Sequence, residues 1–256
     1  MKRLLIILIF LTVTTLANAG EDTSSCRRWI ALGGAAGYGV FSDQGMGPVL
    51  FQGAEIGPSL GYLSHHSTWR WGITLPLGAG AYGPETAFSL MPQTEVQGIM
   101  KVWTKGHASV WAGASLTEAF DFRYVPALDN NATQSSNFLL LALDARAEYS
   151  IGPCTLHAGA GFAPASLVFR PGFSFIANYD NTMDNPIADH FSFHHTYLAA
   201  ANALRTHLGA TLLLANGNQI DLSYHWHHLT SRTSTPCPHR FDRASHTLRL
   251  TLYFAL

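Results

Sequence analysis

Residues 247–256 alternate without a break. Leu248, Leu250, Leu252, Phe254 and Leu256 form one parity, and Thr247, Arg249, Thr251, Tyr253 and Ala255 the other. A period of two predicts a strand with one apolar and one polar face. The same pattern recurs along the chain. Trp29–Val40 sets Ile30, Leu32, Tyr38 and Val40 against Gly and Ala, and Val49–Leu63 sets Ala54, Ile56, Leu60 and Tyr62 against Glu55, Gly57, Ser59 and Gly61. Further strands are predicted at Thr68–Ala81, Phe88–Trp103, Ala108–Tyr124, Asn137–Ile151, Cys154–Phe169, His195–Ala215 and Gln219–Thr230. In Cys154–Phe169 the apolar parity is Leu156, Phe162 and Val168, opposed by Thr155, His157 and Gly159. Glu118 interrupts the apolar parity of its strand, a charge tolerated best near a membrane interface.

The punctuation is as regular as the strands. His65–Ser67, Thr104–His107, Gly152-Pro153 and Asn216-Gly217-Asn218 are short turns, and longer connections lie between them. Asn-Gly is a strong hairpin signal. No stretch after residue 19 holds about 18 uninterrupted apolar residues, so spanning helices are excluded. Strands that alternate, with short and long connections in turn, predict one all-β domain: an antiparallel transmembrane β-barrel of about ten strands. Its short turns would be periplasmic and its longer loops outside. The chain thus resembles the broad class of small bacterial outer-membrane barrels. That resemblance implies contact with outer-membrane lipid and lipopolysaccharide, and assembly by the outer-membrane insertion machinery.

Composition sharpens this picture. Only 12% of residues are charged and there are 23 Gly, which suits strands set in lipid rather than a solvated surface. A formal net charge of −1 gives no reason to invoke nucleic acid. Lys2 and Arg3, the apolar run Leu4–Leu16 and Ala17-Asn18-Ala19 have the form of a secretory signal. The expected division is a cleaved signal at 1–19 and a barrel domain at 20–256, placing the protein in the outer membrane of a Gram-negative bacterium. Of the three cysteines, Cys26 and Cys154 both belong at the periplasmic end and Cys237 at the other. If any pair bridges, it is Cys26 with Cys154; three free thiols are the alternative.

The inward parities carry Glu55, Arg70, Glu95, Asp144, Arg146, Glu148, Arg205, Asp221, His225, His227 and Arg249. Barrels of about eight strands are filled by side chains, and wide channels need about 16. A ten-strand lumen of mixed charge is therefore expected to be mostly closed by ion pairs and hydrogen bonds. His225 and His227, with His207 and His246 on neighbouring strands, invite a metal reading. No tight ligand spacing is present, so they read as lumen-filling groups, with no metal and no cofactor. Asp221, Ser223 and His225 lie too rigidly along one strand face to act as a triad.

Two stretches suggest chemistry. Tyr224–Ser231 resembles the His-x-Ser-Asn segment of outer-membrane lipid A deacylases, in which the His and Ser face the membrane with an acidic residue on the next strand. The resemblance implies His228 as base, Thr230 in the place of the nucleophilic Ser, and Asp242 orienting His228. Thr stands for Ser, Ser231 stands for Asn, and that family's barrel is smaller. The acidic segment Tyr179–Asp189 lacks a full calcium-loop pattern and reads as a solvated loop. Asp189 and His190 are similar to the site of ten-stranded outer-membrane proteases, without a second acidic pair. The leading expectation is a non-enzymatic barrel with a structural or surface-interaction role. An acyl hydrolase of lipid A or phospholipid, and a narrow pore for small solutes, are the alternatives.

Overall fold

The computed structural model describes residues 26–84, 86–131, 133–170, 195–234 and 238–256. Among these residues eleven strand segments are present: β1 (Arg27–Asp43), β2 (Leu50–His65), β3 (Trp69–Gly83), β4 (Ala87–Lys105), β5 (Ala108–Tyr124), β6 (Thr133–Ile151), β7 (Cys154–Arg170), β8 (His195–Leu198), β9 (Ala201–Leu213), β10 (Gln219–Thr233) and β11 (His239–Ala255). Each pairs antiparallel with its neighbours, and β1 pairs with both β2 and β11. The ladder runs β1 to β7, then β9, β10 and β11 back to β1, closing a barrel of ten strands. Closure satisfies every backbone edge, which is what a strand set in lipid requires. Among the described residues no helix is long and apolar enough to cross a membrane.

The tenth count holds because β8 and β9 are one interrupted strand. The segment expected at His195–Ala215 breaks at Ala199, whose φ is 52°. Facing it, β7 shifts register against β6 between Leu141 and Leu143. Ser166 fills the irregularity: its hydroxyl donates to the Ala201 carbonyl at 2.7 Å and accepts from the Ala201 amide at 2.9 Å. The bulge falls at Pro164, which has no amide to give the ladder. Beyond it the parity inverts. Val168, expected on the same face as Leu156 and Phe162, is fully buried inside, whereas those two remain exposed.

Short turns join the strands at the end where residues 26 and 256 lie. Gly106 and Gly152 take left-handed backbone there, with φ of 58° and 57°. At the Asn216–Asn218 turn the Gly217 carbonyl accepts from Trp29 Nε1 at 3.1 Å, tying the turn to the first strand. The opposite end carries two 3-10 turns, Gln44–Met46 and Pro126–Asn131. Residues 1–19 and the 179–190 segment lie outside the described residues, as does Cys237.

The outward parity is apolar and exposed around the barrel: Leu32, Ile56, Leu75, Met100, Leu143, Leu208 and Leu250 are examples. Glu118 stays on this face, where its carboxylate accepts from Asn137 Nδ2 at 3.1 Å. An apolar exterior surrounding a polar interior is the inverse of a soluble domain and the arrangement that lipid selects.

Candidate functional site

The lumen is built in tiers. At the outer end the inward parities are not polar but aromatic and aliphatic. Phe41, Phe51, Met46, Phe138, Leu229 and Phe241 are all buried there and pack as one cluster with Tyr82, Met91 and Val168. Phe41 stacks on Phe51 at 4.8 Å, and Phe138 on Phe241 at 6.1 Å. Sequence parity missed this apolar stopper because it equates inward with polar. A signal was available: Phe138–Leu143 is apolar at every position of both parities, as a segment covered on both sides should be.

Charges thread this apolar tier, each held by a partner. Arg243 Nη2 donates to Glu55 Oε1 at 2.7 Å and to the Tyr82 hydroxyl at 3.0 Å, while Nη1 donates to Ser89 Oγ at 3.0 Å. Tyr82 in turn donates to Glu55 at 2.6 Å. Glu55 has room to reach inward because a Cβ at Gly39 would collide with its carboxylate. Arg123 pairs with Asp43 and spreads over the Phe241 ring at 4.1 Å. Asp43 also takes His239 Nε2 at 2.5 Å and the Gly45 amide at 2.7 Å, so one carboxylate anchors the first outer turn to the barrel.

Below lies a middle tier centred on Arg205. Its guanidinium pairs with Glu95, and donates to Asp144 Oδ1 at 2.7 Å and Ser115 Oγ at 2.6 Å. Gln97 completes Asp144 at 3.2 Å. The periplasmic tier is centred on Glu148, which accepts both ends of the Arg70 fork at 2.6 and 2.9 Å, Arg146 Nε at 2.8 Å and Trp111 Nε1 at 3.0 Å. Arg70 lies 3.7 Å over the Trp111 ring. A cleft of about 100 Å³ beside Arg70, Arg146, His65 and Tyr253 opens from this tier. Arg249 is inward with its Nε buried and unpartnered.

The opposite wall carries the histidines. Asp221 Oδ2 meets His157 Nε2 at 2.6 Å and Thr211 Oγ1 at 2.8 Å, and Asp221 Oδ1 accepts from Ser223 at 2.8 Å. Ser223 Oγ lies 3.0 Å from His225 Nε2. The His207 ring sits between those of His157 and His225, at 5.5 and 5.6 Å, in space that a Cβ at Gly159 would fill. His227 is inward on β10. His246, grouped with these residues by strand neighbourhood, points the other way: its parity on β11 is lipid-facing, and its Nδ1 lies 2.5 Å from the Tyr224 hydroxyl. Among the described residues no three His, Cys, Asp or Glu are arranged to hold a metal ion.

The outward hairpin residues lie together on β10 and β11. Thr230 and Asp242 are directly opposite, and the Thr230 side chain hydrogen-bonds to the Asp242 carboxylate. Asp242 also takes Arg240 Nε at 2.7 Å. His228 shares this face but stacks on Trp226 at 6.1 Å between ring centroids.

The Cys26–Cys154 bridge is absent. Both thiols are free, and Cys26 Sγ lies 3.2 Å from Ser64 Oγ. Their strands are not neighbours: β9, β10 and β11 stand between β7 and β1 on the shorter way round. A disulfide needs Cα atoms within about 7 Å, less than that arc spans. A shared end of the barrel does not bring two strands together.

No family model matches the chain and no curated protein matches it. Solved structures similar to it are outer-membrane barrels. The translocator domain of the autotransporter NalP from Neisseria meningitidis aligns with TM-score 0.48 and 11% identity, covering 97% of this chain and 95% of that one. Neisserial surface protein A aligns with TM-score 0.33 and 10% identity over 86% and 95%. The attachment invasion locus protein Ail of Yersinia pestis aligns with TM-score 0.22 and 11% identity over 89% and 98%. The architecture rests on the chain's own closed ladder and apolar exterior: it is a transmembrane β-barrel of the outer-membrane type.

Proposed function

We propose that this protein is an integral outer-membrane barrel of a Gram-negative bacterium that conducts no solute and works through its outer surface, in a structural or surface-interaction role. The observation that carries this reading is the stopper at the outer end of the lumen. Phe41, Phe51, Phe138 and Phe241 are each at most 1% exposed, and Arg123 among them is fully buried. A water path would have to hydrate those groups. Its lipid partners are those of the outer membrane, lipopolysaccharide included, and the insertion machinery of that membrane would assemble it after removal of residues 1–19.

The test is conductance. Purified protein reconstituted into planar bilayers is expected to leave the baseline unchanged; stepwise opening to small ions would overturn the closed-lumen reading and favour the narrow pore. A second reading, acyl cleavage of lipid A or phospholipid, is supported by the contact of Thr230 with Asp242 on the lipid-facing side, with His228 on the same face. In the arrangement described, the Thr230 hydroxyl meets a carboxylate while the imidazole rests on Trp226. Hydrolysis through a His base requires His228 to turn toward Thr230. Incubation with lipid A and mass analysis of the products decides it: loss of an acyl chain by wild type but not by Thr230→Ala establishes the enzyme.

A further inference from the structure

The exterior of the barrel is uneven. On β5 the outward parity stays apolar from Ala108 to Tyr124 except at Glu118. On β11 Arg240, Asp242 and His246 interrupt it, and it runs unbroken only from Leu248 to the residue after the strand, Leu256. That shorter stretch is about the 9–11 residues a slanted strand needs to cross the apolar core. Immediately above it on this wall come Tyr224, Trp226 and Tyr38, rings with polar tips and with Tyr38 and Tyr224 exposed. Such rings settle at the boundary of hydrocarbon and headgroups. The next outward residues are therefore at headgroup level: His228, Thr230 and Arg232 on β10, and Asp242 and Arg240 on β11.

At that level Arg232 and Arg240 are directly opposite across the β10–β11 ladder, and both are exposed on the outward face. Like charges directly opposite destabilise a strand pair. Asp242 is the one carboxylate on this outer patch of β10 and β11 among the described residues, and it binds Arg240 through Nε. The patch is left with one positive charge in excess. Its backbone is also ordered from the loop side, since the Arg240 amide donates to Gln44 Oε1 at 3.0 Å. Opposed arginines beside hydroxyl and imidazole groups match a phosphate monoester, which accepts from both guanidinium forks.

We propose that this patch binds a phosphate of lipid A in the outer leaflet, clamped between Arg232 and Arg240 with Thr230 and His228 beside it. The proposal rests on the outer-membrane placement above and names the partner of that outer surface. The bound phosphate removes the like-charge conflict, so the arginine pair is explained by its ligand.

The experiment uses full-length protein in mixed micelles, with bound lipid read by native mass spectrometry. The probes are diphosphorylated lipid A and the same lipid A with its phosphates removed. Wild type is expected to retain the phosphorylated form at least about tenfold more than the phosphate-free form. Arg232→Gln with Arg240→Gln is expected to abolish that preference, and Arg232→Lys with Arg240→Lys to restore part of it, since charge survives and the fork does not. Both pairs of changes are on the exposed exterior, and the heat-dependent shift in gel mobility confirms folding. Equal retention of the two lipids by wild type, or an unchanged preference in the double Gln variant, overturns the proposal. Either of those results with a closed, outer-membrane-located barrel strikes only the phosphate clamp. Protein found outside the outer membrane would strike the placement itself.

Discussion

Arg243 on β11 and Glu55 on β2 meet inside the barrel at 2.7 Å, two strands apart and 188 residues apart in the chain. Both side chains are nearly sealed from water, and Tyr82 joins them. Removing one partner leaves an uncompensated buried charge, which costs about 3–5 kcal/mol. Arg243→Met is therefore expected to lower the urea midpoint of the folded barrel in lipid vesicles. Arg243→Met combined with Glu55→Gln should recover part of the loss; a double variant less stable than the sum of the single changes would contradict the pairing.

Phe241 is held between Phe138 and the Arg123 guanidinium, and is fully buried. Phe241→Ala is expected to cost about 3–5 kcal/mol, as large-to-small changes in a packed core do. The same variant is the one to examine for ion leakage in planar bilayers. In contrast, Arg205→Ala should disturb only the middle tier and leave the bilayer silent, because the stopper lies above it.

How much of this was legible beforehand follows from the range of each interaction. Strand parity is local, so Leu248–Leu256 alone revealed the period, and the turns at Gly106, Gly152 and Gly217 were readable from composition. The inward charges were readable too, as a set. Their partners were not: Arg70 and Glu148 are 78 residues apart, and nothing near either one names the other. Val168 was misplaced because a single extra residue at a bulge inverts every later side chain, although Pro164 marked the spot. Arg243, central to the outer tier, lies before the stretch whose alternation was clear. His228, Thr230 and Asp242 were readable as one outward face, but which of them touch depends on side-chain rotamers that the sequence does not record.

Gly37 illustrates a position set by backbone proximity. A Cβ there would collide with the His246 carbonyl oxygen and crowd Thr247 Cα on β11. Backbone cannot yield as a flexible side chain can, so Gly37→Ala is expected to cost about 1–3 kcal/mol and to weaken the β1–β11 seam. Semi-native gel electrophoresis on a temperature series reads this directly: the variant should lose its compact band at lower temperature than wild type. Gly34, where a Cβ meets nothing within 4 Å, is the control and should tolerate Ala.

The thiols give a chemical check on strand order. With β7 and β1 apart, peptide mapping of the folded protein should find no Cys26–Cys154 bridge, and both should take up maleimide once the barrel is unfolded. Detection of that bridge in the folded barrel would mean that the ladder around β9 to β11 is wrong.

The seam between β1 and β11 also governs how the object must come into being. With β8 and β9 taken as one interrupted strand, every other pairing of the ladder joins strands consecutive in the chain, whereas β1 must wait for β11 to supply its second partner. Until then β1 and β10 are both open edges, and in hydrocarbon each unpaired amide or carbonyl costs several kcal/mol. An incomplete chain thus has no smaller barrel to fall back on. Insertion is expected to be all-or-none with respect to β11, and that strand serves as the latch by which the membrane-inserted state is distinguished from an unfinished sheet.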